Sequence, residues 1–123
     1  MSTGTETMQK RSFDSPDEVR PAGKGEGRFV SLEGVTFGRV ALQPGWKWSE
    51  SVKPIAKTDS CPALHHGIVL RGRLHVVMDD GSEEEYGPGD VYYMPPGHDA
   101  WVVGDETYEG VDFAADEKWA KPS

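Results

Sequence analysis

Cysteine occurs once in the 123 residues, at Cys61, so no internal disulfide can staple this chain and no paired-cysteine metal clip exists. A lone thiol fits a reducing compartment, and the expected location is cytoplasmic. Cations are also scarce: 13 basic side chains stand against 21 acidic ones, for a net charge of −8. Such a surface repels phosphate backbones, and nucleic acid is not an expected partner. No apolar run approaches the roughly 18–20 residues that cross a bilayer, and the polar stretch Met1 to Arg11 lacks the apolar core of a secretion signal. No membrane partner is expected either. Also missing are a Gly-x-Ser-x-Gly elbow, a phosphate loop, a dinucleotide fingerprint and any internal repeat, which sets aside the hydrolases, nucleotide-binding folds, solenoids and propellers those patterns mark.

What remains is enough for one domain with a real core. Residues 1–27 are rich in Ser, Thr, Gly, Glu and Lys and carry few apolar side chains, so they are expected to form a flexible N-terminal segment. From Arg28 the texture changes to short runs of β-branched and aromatic residues separated by Gly, Pro and Asp clusters, the pattern of an all-β sandwich or barrel. Strands are expected at Arg28 to Leu32, Val35 to Leu42, Gly45 to Ser51, His65 to Leu70, Arg73 to Met78, Glu83 to Tyr86, Val91 to Met94, Ala100 to Val103 and Thr107 to Phe113. Turns are expected at Asp79-Asp80-Gly81, Gly87-Pro88-Gly89-Asp90 and Met94-Pro95-Pro96-Gly97, where Pro forbids a central ladder position and Gly accepts positive φ. Nothing reads as a long helix, and residues 114–123 are expected to form a solvated C-terminal tail.

Three pieces in order, Val69-Leu70-Arg71-Gly72-Arg73-Leu74, Gly87-Pro88-Gly89-Asp90-Val91 and Met94-Pro95-Pro96-Gly97-His98, resemble a small single-domain cupin. The resemblance covers residues 28–113 and implies a double-stranded β-helix, a jelly-roll barrel with one open end. It also implies a homodimer and, in most cupins, one divalent metal ion such as zinc, iron, nickel or manganese. That ion is usually held by a His-x-His pair, a Glu a few residues later and a third His after the Pro-x-Gly loop. Here the Glu position is His65 and the third His position is Ala100, with His98 two residues earlier. The His-x-His positions are Ser51 and Lys53 if counted from Gly45, or Asp59 and Cys61 if the short spacing is kept. The standard ligand set is therefore replaced, and a site could be rebuilt from His65, His98 and one or both of Asp59 and Cys61.

Two functions follow as expectations. The first is a small-molecule binding module, with or without a metal, whose pocket is shaped by Trp46, Trp48, His65, Tyr93, His98 and Trp101. Aromatic rings at the mouth would stack on a flat or sugar-like ligand, with Glu50 and Lys53 near the rim. The alternative is a metal-dependent enzyme of oxygenase, isomerase or cyclase type with His65 and His98 on the ion. Cys61 reads equally as a ligand, a reactive thiol or a small buried hydrophobe. His66 and His75 are expected to face outward by strand alternation.

Overall fold

The computed structural model describes residues 7–122, and the N-terminal part of the segment expected to be flexible, residues 1–6, lies outside them, as does Ser123. Nine strands form two antiparallel sheets that pack face to face: β1 (Glu18–Pro21), β2 (Gly25–Leu32), β3 (Val35–Leu42), β4 (His65–Arg71), β5 (Arg73–Met78), β6 (Glu83–Tyr86), β7 (Val91–Met94), β8 (His98–Val103) and β9 (Tyr108–Asp112). The larger sheet has the order β1-β2-β3-β9-β4-β7 and the smaller β6-β5-β8. The non-sequential neighbours β3-β9-β4 are the jelly-roll crossover, and the all-β double-stranded β-helix expected from the sequence is the architecture observed.

Alternation along each strand sends one set of side chains into the space between the sheets. Phe29, Val40, Leu42, Val69, Leu74, Val76, Tyr92, Met94, Ala100, Val102 and Tyr108 are buried there and make up most of the core. The β3, β5, β6 and β7 boundaries coincide with those read from the sequence.

Three expected features differ. Gly45 to Ser51 is not a strand: after a turn at Gly45 with φ 89°, Lys47 makes a lone bridge to Trp101, and Trp48–Ser51 winds into a single helical turn, α1, followed by a second, α2, at Lys53–Ala56. The reason is a long-range contact. The Asp99 carboxylate on β8 accepts from the Ser49 amide, holding one of the amides that a helix start leaves without an intrahelical partner. The second departure is at the N-terminus, where ordered structure begins before residue 28. Strand β1 pairs with β2 along Glu18–Pro21, and Arg20 and Ala22 are buried.

The third lies at the other end, where Trp119 and Ala120 are buried instead of solvated. Trp119 packs on Phe29 with ring centroids 6.3 Å apart, and the Arg20 guanidinium donates to the carbonyls of Asp116 and Trp119 at 3.0 Å each. Gly27 makes room for this contact, since a Cβ there would lie 2.6 Å from the Trp119 ring. A single indole inside a polar stretch carries no periodic signal, which is why composition hides it. No described helix is long and apolar enough to cross a membrane.

Candidate functional site

The barrel encloses a cavity of about 40 Å³ lined by inward side chains of both sheets and of α1. Its polar end is built from three segments. Cys61 lies in the loop before β4 and is pinned to the start of β8 by two backbone bonds, its amide donating to the His98 carbonyl and its carbonyl accepting from the Gly97 amide, both at 2.8 Å. His98 opens β8 with its side chain on the inner face. His65 opens β4 opposite Met94 of β7, also facing inward. The side-chain donor atoms of Cys61, His65 and His98 all lie within 4.8 Å of one another, and all three residues are buried.

Both imidazoles are held from behind. His65 Nδ1 is 2.7 Å from an Asp112 carboxylate oxygen, and His98 Nδ1 is 2.7 Å from the Pro95 carbonyl, an arrangement in which each Nδ1–H donates. With Nδ1 so committed, each neutral ring keeps its lone pair on Nε2, and His65 Nε2 stands 3.9 Å from Cys61 Sγ. Asp112 sits on β9 opposite Gly67, so it is the diagonal neighbour of His65 on the inner face. Its second oxygen accepts from the Tyr92 hydroxyl at 2.5 Å. Tyr92 and Asp112 meet over Gly67, where a Cβ would fall 2.0 Å from the Val111 carbonyl and 2.5 Å from the Tyr92 hydroxyl.

The electrostatics follow from this contact chain. Burial pushes the Cys61 thiol up, but hydrogen bonds to His65 and His98 and their charge outweigh it and bring the group down to about 6. Burial opposes the His65 imidazolium, yet the charge and hydrogen bond of Asp112, followed by Cys61, raise it to about 10. For Tyr92, burial and then the Asp112 charge raise the hydroxyl far above its ordinary range, so it remains a donor.

The sequence-derived candidates divide cleanly. The structure brings together Cys61, His65 and His98, with Trp46 and Trp48 on the same cavity wall. Asp59 is exposed and outside the donor cluster. Tyr93 does not line the cavity: it faces outward from β7, 56% exposed, against the His66 ring. Trp101 likewise faces outward from β8, stacked on His75 at 4.8 Å. Glu50 and Lys53 are exposed on α1 and α2, away from the cavity lining. Strand parity explains these outcomes, because inward His98 puts Ala100 and Val102 inward and Trp101 outward. Sequence reasoning missed Tyr92, Tyr108, Asp112 and Trp119, all of which line the cavity. Parity could have found Tyr92, one residue from Tyr93, whereas Asp112 is coupled to His65 only through the β4–β9 pairing.

Comparison with known proteins places this architecture. No family model and no curated protein matches the sequence. Among solved structures, a Rhizobium leguminosarum protein of unknown function matches at 25% identity with a TM-score of 0.62, over 88% of this chain and 96% of that one. A cupin 2 conserved barrel domain protein from Salinispora arenicola matches at 18% identity and TM-score 0.61, over 88% of each chain. The fold is the double-stranded β-helix of these cupin structures. Bacillus subtilis oxalate decarboxylase also matches, at 20% identity and TM-score 0.62, over 93% of this chain but 31% of the enzyme, so the chain spans about a third of that protein's length. Of the four residues the two registers offered, Cys61 lines the cavity and Ser51, Lys53 and Asp59 do not, while His98 stands one inward position before Ala100 on β8.

Proposed function

We propose that this cupin holds one metal ion on Cys61, His65 and His98 and binds a molecule of a few atoms at the coordination position left open toward the cavity. The observation that carries the reading is the convergence of Sγ and two imidazoles within 4.8 Å, each imidazole anchored through Nδ1 by Asp112 or by the Pro95 carbonyl. Buried ligand histidines backed by a carboxylate or a carbonyl are the usual support of a metal site. Metal–donor lengths of ~2.0–2.3 Å put tetrahedral donors about 3.5 Å apart, and the 3.9 Å between Sγ and His65 Nε2 is already close to that spacing.

Bacillus subtilis oxalate decarboxylase has Mn(II) centres, but a thiolate beside two imidazoles favours softer ions, and zinc, iron or nickel fit this donor set better than manganese. Such an ion supplies Lewis-acid polarisation of a bound oxygen. The protein supplies the rest: Val40, Leu42, Leu74 and Met94 keep the wall apolar, and Asp112 and Tyr92 fix the His65 ring. Drug-sized ligands occupy roughly 300–1,000 Å³, so a cavity of about 40 Å³ favours a few-atom partner over the flat, sugar-like or polyketide ligands expected from the aromatic content.

A second reading rests on the in-line order Cys61, His65, Asp112, which is that of a nucleophile, its base and the group that orients the base. The decisive measurement is metal content of tag-free protein by plasma mass spectrometry, with Cys61→Ser and His98→Ala alongside. Near one equivalent of zinc, iron or nickel, lost in both variants, is the expected result. Metal-free protein whose Cys61 is alkylated rapidly, equally so in His98→Ala, would replace the metal reading with the nucleophile.

The homodimer implied by the cupin resemblance is part of the same proposal. It is supported by an outward apolar strip formed by Ile68 of β4, Val91 and Tyr93 of β7, Val111 of β9 and Phe113 just after it, next to the edge of β7.

A further inference from the structure

Two buried side-chain polar atoms lack a partner among the described residues, Arg20 Nε and Trp48 Nε1, and only Trp48 lines the metal-site cavity. The neighbouring indole offers a contrast. Trp46 lines the same wall, yet its Nε1–H donates to the Ala22 carbonyl at 2.8 Å. Trp48 is 1% exposed, so water on the surface does not serve it. An indole N–H can only donate, and leaving it buried without an acceptor is costly.

The rest of the cavity narrows what the acceptor is. Asp112 is already committed to His65 and Tyr92. Val40, Leu42, Leu74, Met94 and Ala100 offer side chains with no acceptor oxygen, and the Tyr108 hydroxyl, which also lies on this wall, is engaged with Tyr92. One water needs roughly 10–15 Å³ of such space, so about 40 Å³ admits an ion with a ligand of one to three atoms. Three protein donors leave a fourth position on a tetrahedral ion, which is the hallmark of a reactive rather than a structural site.

We propose that Trp48 Nε1–H is the hydrogen-bond donor that positions a small anionic acceptor, of the hydroxide or pseudohalide class, on the metal held by Cys61, His65 and His98. The inference rests on the metal reading above and adds the ligand class and the residue that selects it. Trp48 acts as a positioning residue: it favours ligands whose free end carries a lone pair and disfavours those that present a donor or a methyl group there. The cavity wall sets the length limit.

Azide is the probe, added to protein loaded with Co(II) and followed by the visible cobalt bands. Wild type is expected to show a saturable spectral change. Trp48→Phe is expected to take up cobalt but to bind azide about ten- to a hundredfold more weakly, the loss expected for a hydrogen bond to a charged acceptor. Equal azide affinity in the two proteins overturns the proposal. A measurement on unmutated protein covers the case where the variant does not fold: the indole ¹H–¹⁵N resonance of Trp48, in protein loaded with Zn(II), must move downfield as azide is added, and a stationary resonance overturns the proposal. If neither metal binds, the metal reading fails separately. The same resonance in metal-free protein then decides: a shift with azide retains Trp48 as the donor of an anion pocket, and no shift removes it.

Discussion

Asp112 accepts from His65 on one oxygen and from Tyr92 on the other, and this places a buried negative charge directly behind the imidazole that faces Cys61. In metal-free protein the result is an imidazolium–thiolate pair, because His65 is raised to about 10 while Cys61 is lowered to about 6. The pH behaviour follows from proton counts. A raised histidine contributes stability that is complete below its ordinary 6.5 and lost as pH climbs through about 10. A lowered thiol contributes stability that is complete above its ordinary 9.0 and lost as pH falls through about 6. Between 6.5 and 9.0 the folded and unfolded pairs each carry one proton, so the two trends cancel.

Urea midpoints of metal-free protein are therefore expected to be level from about pH 6.5 to 9 and to fall on either side. A steady slope between pH 7 and 8.5 would contradict the ion pair. Over the same range metal uptake must displace the His65 proton, so affinity should rise about tenfold per pH unit. The residues behind this behaviour were unequally legible. Cys61, His65 and His98 could be read from their spacing to Gly72 and the Pro95-Pro96-Gly97 loop, but nothing near Asp112 in the chain announces its contact with a residue 47 positions earlier.

At the scale of elements, the site depends on how β4, β7 and β9 approach one another around Gly67. Its partners across the two ladders are Tyr92 and Asp112, the pair that steadies His65. Gly67→Ala puts a methyl group where the Val111 carbonyl and the Tyr92 hydroxyl already stand. The expected cost is about 1–3 kcal/mol, the range for overpacking a filled interior, read from urea denaturation, together with weaker metal binding as Asp112 is displaced. A variant with unchanged midpoint and unchanged metal affinity would show that the sheet absorbs the methyl group and that the Gly67 approach is not what holds the site. The strands themselves were readable where alternation and turn residues agree, as at Val35–Leu42 and Arg73–Met78. The pattern was silent where one side chain or one cap decides, as with Asp99 turning Trp48–Ser51 into a helix and Trp119 folding the C-terminal segment onto Phe29.

At the scale of the whole molecule, the apolar strip and the charge act against each other. Val91, Tyr93 and Phe113 are 73%, 56% and 43% exposed, beside a β7 edge whose outer side has no strand partner among the described residues. An edge of that kind invites a further strand, and a second copy of the same chain offers the same strip in a self-complementary pairing. A net charge of −8 on each copy opposes the approach. Salt screens exposed charges over about 8–10 Å at physiological strength, so added salt should favour the pair while leaving its apolar contact intact. Sedimentation equilibrium is expected to show a dimer whose dissociation constant tightens with salt, and Val91→Asp should give a monomer by placing a charge in the centre of the strip. Because Val91 faces away from the cavity, that monomer should still take up metal. A wild-type monomer at every salt concentration would remove the homodimer, and a Val91→Asp protein that loses both pairing and metal would tie the site to the interface.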